Sequence, residues 1–330
     1  MSRIVSPVPD TPQLAARIFI EFVKPILSIV IVNWNSGQLL GDCISSIKHV
    51  NHDSFNLGEV VVVDNCSTDD SLDGIRELGV PVRVILNNEN RGFAAGCNQG
   101  TAETKSDYVL FLNPDTRLFE DSLTKPIGFM QQPYNVDIGI CGIRLVDEEG
   151  HTSTSAARFP TLKVMAGKSL GLTKFFPGIF PAHFMTSADL RESSSVDQVI
   201  GAFFLIRKNV FDRCSGFDER FFVYFEEVDL SLRVKQLGYA SYFLSDVSAF
   251  HKGGGCSDRV KATRLFYSLC SRILYAQKHY SHFEFIMLIM LTTLELPMRI
   301  AQGVIRASWS DINNTFSAYT QLAKYFFRRV

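Results

Sequence analysis

The sequence predicts an α/β protein: a doubly wound, mostly parallel sheet flanked by helices, followed by a helical extension. Three observations predict it. Short apolar runs rich in β-branched residues alternate with helical patterns. The strand-like runs give way to polar loops at their carboxyl ends. The composition, 46% hydrophobic and 20% charged over 330 residues, is that of a globular chain with room for one main domain and an appendage.

Residues 27–33 (LSIVIVN) read as a fully buried first strand, followed by Trp34, Asn35 and Ser36 and a helical pattern through Leu39, Ile44 and Ile47. Residues 59–63 make the second strand and residues 64–71 (DNCSTDDS) the loop at its end. Ser67 or Asp69 is expected to cap a helix carrying Leu72, Ile75 and Leu78. A third strand spans 82–86, and the glycine-bearing loop 87–100 (NNENRGFAAGCNQG) runs into a helix. The fourth strand, 108–112, ends in Asn113, Pro114 and Asp115. In open sheets of this kind ligands bind beyond the carboxyl ends of strands, where Asn33, Asp64, Asn65 and Asp115 all fall. Gly92, Gly96 and Gly100 have a plainer explanation as helix-packing glycines.

After the strand expected at 138–146 the alternation breaks. Residues 151–197 are expected as a flap over a site, and 199–206 (VIGAFFLI) as a return to buried strand. Residues 216–233 (GFDERFFVYFEEVDLSLR) then set three carboxylates beside a dense aromatic run. A helix entering near Glu226 places Glu226 and Asp229 on one face and turns Glu227 toward a neighbouring side. Acids in a first helical turn are favoured by the macrodipole for stability alone. The aromatic wall of Phe221, Phe222, Tyr224 and Phe225 supports a second reading: low local dielectric brings a carboxylate's pKa toward the range of a general base. His251 follows a strand and precedes a glycine run. It reads either as a structural histidine or, with Asp115 as a hard oxygen partner, as a ligand for Mg²⁺ or Mn²⁺.

Seven blocks, SIVIVNWNS, VVVDNCSTDDS, NENRGFAAGCNQG, VLFLNPDT, GAFFLIRKNVF, GFDERFFVYFEEVDLSLR and AFHKGGGCS, resemble in order and spacing glycosyltransferase family 2, most closely its rhamnosyltransferase-like branch. The resemblance covers about residues 27–257 and implies a GT-A fold and an inverting transferase. It implies that Asn33, Asn35, Asp64 and Asn65 hold the base and ribose of a nucleotide-diphosphate sugar, with Asn90, Arg91 and Gly92 beside the donor. Asn113 and Asp115 stand at the family's Asp-x-Asp position, with Asp115 and His251 as metal ligands. Glu227 matches the catalytic base, with Glu226 as the alternative one residue away and Asp229 as an orienting acid. Two residues depart from the pattern: Asn113 stands where many relatives carry aspartate, and Glu227 is a methylene longer than the usual aspartate. The implied donor is dTDP-β-L-rhamnose, the acceptor a glycan or polyprenyl-diphosphate-linked glycan. UDP-galactose, UDP-glucose or UDP-GlcNAc are the alternative donors, and a non-catalytic nucleotide-sugar-binding scaffold is the rival from another class.

The charge pattern divides the chain into an N-terminal extension (1–26), a transferase domain (27–258) and a basic, apolar helical region (259–330). The last carries ten Lys and Arg against three Asp and Glu, a net of +7, which leaves −8 for residues 1–258. An acidic body argues against nucleic acid as a partner, and basic residues around the apolar run 285–298 suggest an anionic membrane surface. Glu295 and Pro297 interrupt that run, which is short for a span, so a helix buried on the core is the competing expectation. Seven scattered cysteines with no Cys-x-x-Cys pair fit reduced thiols. The N-terminal stretch lacks the apolar core of a signal peptide, giving the expectation of a cytoplasmic protein peripheral to the inner face of the membrane.

Overall fold

The structure, a computed structural model, describes residues 23–253 and 261–327. Residues 1–22, most of the glycine run after His251, Cys256, Arg259, Arg328 and Arg329 lie outside the described residues. In chain order the elements begin β1 (Ile26–Asn33), α1 (Gln38–Ile47), β2 (Asn56–Asp64), β3 (Val82–Leu86), α2 (Phe93–Thr101), β4 (Tyr108–Leu112), β5 (Thr116–Leu118) and α3 (Thr124–Met130). They continue with β6 (Ile138–Val146), β7 (Ala156–Ala157), α4 (Leu162–Ser169), β8 (Ser194–Val196), β9 (Gln198–Val199), β10 (Phe203–Arg207), α5 (Lys208–Arg213), α6 (Glu226–Gln236) and β11 (Ala240–His251). Three long helices follow, α7 (Lys261–His279), α8 (His282–Ile305) and α9 (Trp309–Phe327).

A nine-stranded sheet forms the centre, in the order β3-β2-β1-β4-β10-β6-β11-β5, with β8 pairing on β11. β3, β2, β1 and β4 are parallel, β10 runs against both its neighbours, and β6 and β11 are again parallel to each other. The all-apolar β4 (YVLFL) is buried on both sides because helices cover both faces of the sheet. On one face α1 and α3 pack through Leu40, Ile44, Ile47, Ile127 and Met130. On the other α2, α5 and α6 bring Ala94, Cys97, Phe211, Leu230 and Val234. Gly96 and Gly100 let α2 lie flat on this face: an added Cβ at Gly100 would stand 2.4 Å from Val30, and one at Gly96 2.9 Å from Val32. The helix-packing reading therefore accounts for these two glycines.

Two elements differ from expectation. No α-helix joins β2 to β3, where only a 3₁₀ turn at Ile75–Glu77 forms. The capping side chains are used elsewhere: Asp69 accepts from the Gly37 amide (2.8 Å) and from Ser71 (2.6 Å), and Ser67 donates to Asp64 (2.6 Å). The single strand expected at 199–206 is two. Val199 pairs with Ala156 in a small second sheet and Phe203 with Leu112 in the large one, so residues 200–202 must turn between them.

Residues 261–327 do not stand apart from the sheet. Phe221 and Val228 share a hydrophobic cluster with Phe266, Leu269, Ile273 and Leu274 of α7 and with Ala318 and Leu322 of α9. In the segment expected as a flap, α4 packs Val164 and Met165 against Ala276 and Leu288. α8 opens with a capping box, Ser281 with Glu284, and no helix of the described residues is long and apolar enough to cross a membrane. Glu295, which interrupts the apolar run, is buried between Arg272 (2.8 Å) and Arg299 (2.6 Å) and so ties α8 to α7.

Candidate active site

A cleft of about 710 Å³, within the usual range for ligand sites, opens beyond the carboxyl ends of β1, β2 and β4. Val32, Trp34, Asn65, Asn90, Gly92, Asn113 and Asp115 line it from the sheet side. Phe222, Val223 and Tyr224 line it from the turn before α6, His251 from the end of β11, and Thr263, Arg264 and Tyr267 from α7. Phe222 and Tyr267 stack at 4.4 Å and an interplanar angle of 8°, making an aromatic wall.

The sequence-expected residues divide into those on the cleft wall and those behind it. Asn33 and Asp64 are buried: the Asn33 amide donates to Asp64 Oδ1 (2.7 Å), Ser67 Oγ (3.1 Å) and Ser71 Oγ (2.8 Å). Asn35, in the left-handed region at φ 49°, accepts from the Thr68 amide (2.7 Å). These three fasten the loops after β1 and β2 to each other. Asn65 reaches the cleft and donates to the Gly92 carbonyl (3.0 Å), while Asn90 accepts from the Gly92 amide (3.0 Å). Gly92, at φ 86°, is required by position, since a Cβ there would lie 2.4 Å from the Phe222 carbonyl oxygen. Arg91 is exposed and is not on the cleft wall.

Asp115 and His251 meet because β5 pairs antiparallel with β11, in a register that sets Thr116 opposite His251. His251 Nε2 stands 3.3 Å from Asp115 Oδ1, and both side chains are largely covered. Two ligand atoms sharing one ion with bonds of about 2.1 Å stand about 3 Å apart, so this imidazole–carboxylate pair suits a small divalent cation. A second cluster, Asp147, Glu149 and His151, gathers on the turn after β6, with Glu149 and His151 exposed. It does not touch the cleft.

The three acids of α6 have separate surroundings. Asp229 is fully buried and accepts from His279 Nε2 (2.7 Å), Lys278 Nζ (2.6 Å) and Arg233 Nε (2.8 Å). Burial opposes its charge, but the His279 hydrogen bond and the Arg233 and Lys278 charges outweigh it and hold its pKa below the usual range. Glu226 is buried, and burial followed by the neighbouring Glu227 pushes its carboxyl well above the usual range. Glu227 is half-buried and also raised by burial, against the pull of backbone groups at the helix N-terminus. One oxygen of each glutamate, Oε2, is covered and has no hydrogen-bond partner among the described residues. Tyr224 (φ 67°) and Phe225 (φ 70°), just before them, are both left-handed, a strain of about 1–3 kcal/mol per residue that collects at functional sites. None of the three acids reaches the cleft wall itself. Sequence reasoning passed over Thr263, Arg264 and Tyr267. For Arg264 the available signal was its seven-residue spacing with Ser271 and Lys278, which sets three polar residues on one stripe of α7; no local pattern marks Thr263 or Tyr267.

Glycosyl transferase family 2 matches residues 28–214, more than half of the chain, and the protein belongs to that family of enzymes. Among curated relatives, N-acetylglucosaminyl-diphospho-decaprenol L-rhamnosyltransferase of Mycobacterium tuberculosis is 24% identical over 256 residues, 73% of this chain and 80% of the relative. Rhamnosyltransferase WbbL of Escherichia coli is 29% identical over 145 residues, covering 44% and 52%. A solved mannosyltransferase from Pyrobaculum calidifontis, in complex with GDP-Man and Mn²⁺, superposes with TM-score 0.55 at 15% identity over 92% of this chain and 88% of that one. That likeness shows the GT-A fold.

Proposed function

We propose that this glycosyltransferase moves L-rhamnose from dTDP-β-L-rhamnose onto a hydroxyl of a polyprenyl-diphosphate-linked glycan in cell-surface polysaccharide synthesis, by one inverting displacement. The observation that carries the reading is the convergence on one cleft of loops at three strand ends, the Asp115–His251 pair and the turn that opens onto Glu226 and Glu227. Asn65 and Asn90 would meet the nucleotide, with Asn33, Asn35 and Asp64 holding their loops from behind. Phe222 and Tyr267 offer an apolar face to a deoxysugar or an acceptor ring. Asp115 and His251 would hold Mg²⁺ or Mn²⁺, which when bound supplies positive charge for the leaving diphosphate.

Glu227 takes the proton from the acceptor hydroxyl as it attacks. Burial raises both glutamate carboxyls, and each keeps one covered oxygen with no hydrogen-bond partner among the described residues, so either is disposed to hold a proton at this turn. Donor and acceptor classes lean on the two rhamnosyltransferase relatives. In this reading residues 27–258 form the transferase body, and residues 259–330 bring it to an anionic membrane as a peripheral protein. On α8, Phe283, Ile286, Met290 and Leu294 are exposed along one stripe, which supports a membrane-facing helix.

The test is thermal unfolding with nucleotide sugars at equal concentration, since a ligand of the native state stabilises it by mass action. The dTDP-β-L-rhamnose shift should exceed those of UDP-glucose, UDP-galactose and UDP-GlcNAc. A larger shift with any of the UDP-sugars refutes the donor assignment.

A further inference from the structure

Most of the fastenings of the turn that presents Glu226 and Glu227 come from a helix far along the chain. Ser271 Oγ of α7 donates to the Val223 carbonyl (2.9 Å), and Arg264 Nε to the Tyr224 hydroxyl (3.3 Å). Lys278 Nζ bridges Asp229 Oδ1 (2.6 Å) and Asp218 Oδ2 (2.7 Å), so one ammonium ties both ends of the stretch 218–229 to α7. His279 adds a hydrogen bond to the same Asp229 oxygen, and Tyr275 packs on Phe225 with ring centroids 5.6 Å apart. Between these fastenings lie the two left-handed residues, Tyr224 and Phe225. From the sheet side the turn is held by the Phe93 amide on the Phe222 carbonyl (2.7 Å).

A strained non-glycine turn persists only where its surroundings over-determine it. Here Ser271 holds the residue immediately before it and Lys278 holds Asp229 four residues after it, less than one helical turn beyond Glu226 and Glu227. The geometry points to Ser271 and Lys278 as positioning residues for the reaction: α7 clamps residues 223–229 so that the Glu227 carboxylate meets the acceptor hydroxyl. Neither residue lines the cleft. This rests on the transferase reading above and adds to it that Ser271 and Lys278, which unlike Thr263, Arg264 and Tyr267 of the same helix lie off the cleft wall, set the rate of sugar transfer and not the affinity for the donor.

The experiment compares Ser271→Ala, Lys278→Met and Lys278→Arg in the full-length chain. Each is assayed for transfer, for donor binding by calorimetry, for melting temperature and for hydrogen exchange at residues 223–229. Ser271→Ala and Lys278→Met should exchange these amides about 10-fold faster while the sheet amides stay protected. They should lose about 10- to 100-fold in kcat with the donor Kd unchanged, the size expected for misplacing a reacting group by about 1 Å. Lys278→Arg, which can still bridge two carboxylates, should recover most of the rate. Unchanged exchange, unchanged kcat, or losses in kcat and donor affinity of equal size would each overturn the clamp. Should Lys278→Met fail to fold, Ser271→Ala, which removes a single hydroxyl, decides alone. A wild-type chain that transfers no sugar from any donor tried counts against the proposed function, and the exchange measurement then decides the clamp.

Discussion

Asp229→Asn removes the one negative charge shared by Arg233, Lys278 and His279 while leaving the volume of the side chain almost unchanged. Breaking a buried ion pair from one side costs about 3–5 kcal/mol, because the remaining charge is left without compensation. Lys278 keeps Asp218 at 2.7 Å and Arg233 keeps the Cys214 carbonyl, so the lower end, about 3 kcal/mol, is expected. At about 2–4 °C per kcal/mol for a large domain, the melting temperature should fall by about 6–12 °C at pH 7. Because the folded-state pKa of Asp229 is depressed, its contribution is present above the unfolded value and is lost as pH falls through the folded one. The gap between wild type and variant, followed by circular dichroism from pH 7 downward, should therefore close in acid. A variant as stable as wild type at pH 7, or a gap that does not change with pH, would refute the account of this cluster.

Glu227→Gln should lower transfer by about 10²–10⁴-fold with donor binding retained, since the amide keeps the shape and cannot take a proton. Near-normal turnover of Glu227→Gln together with a dead Glu226→Gln would move the base by one residue. Transfer should fall in excess chelator and recover with Mg²⁺ or Mn²⁺, and His251→Ala should raise the metal concentration needed for half activity; full activity in chelator removes the metal role. Phe283→Glu with Met290→Glu, both on exposed positions of α8, should abolish co-sedimentation with anionic liposomes at low salt without changing the melting temperature. Equal sedimentation of variant and wild type would return α8 to a purely structural part.

Strands β1, β2 and β4 were legible because each carries a compact apolar run ended by polar residues, the form that buried parallel strands take, while β3, an edge strand with Arg83 in it, was marked by its β-branched residues. The helix expected after Ser67 was not there because capping residues are also loop-tying residues. Only the contacts of Asn33, Asn35 and Gly37, more than 30 positions away, tell the two uses apart. For the candidate site, local pattern put Glu226 at the start of its helix and Asp115 at a strand end. Asp115 and His251, 136 positions apart, were paired in advance only as a hypothesis about metal, and their 3.3 Å approach follows from the β5–β11 pairing. What the sequence hid most completely was α7. Its charges read as a set facing an anionic membrane, yet Arg272 and Lys278 are consumed by Glu295, Asp218 and Asp229.

The irregularity in β11 has a bearing on how this fold tolerates change. Leu244 pairs with Ile143 and Ser248 with Arg144, so residues 245–247 have no counterpart on β6. The half of the strand that ends in His251 takes its alignment from β5, from residues 144–146 of β6 and from the Lys252 amide on the Asp115 carbonyl, not from the half that precedes the slack. Length errors arising upstream in β11 are therefore absorbed before they reach the imidazole. A residue gained or lost beside the exposed Asp246 leaves the histidine facing its aspartate as long as Val247 keeps its place in the core, whereas one gained or lost between Ser248 and His251 turns the ring to the opposite side of the sheet.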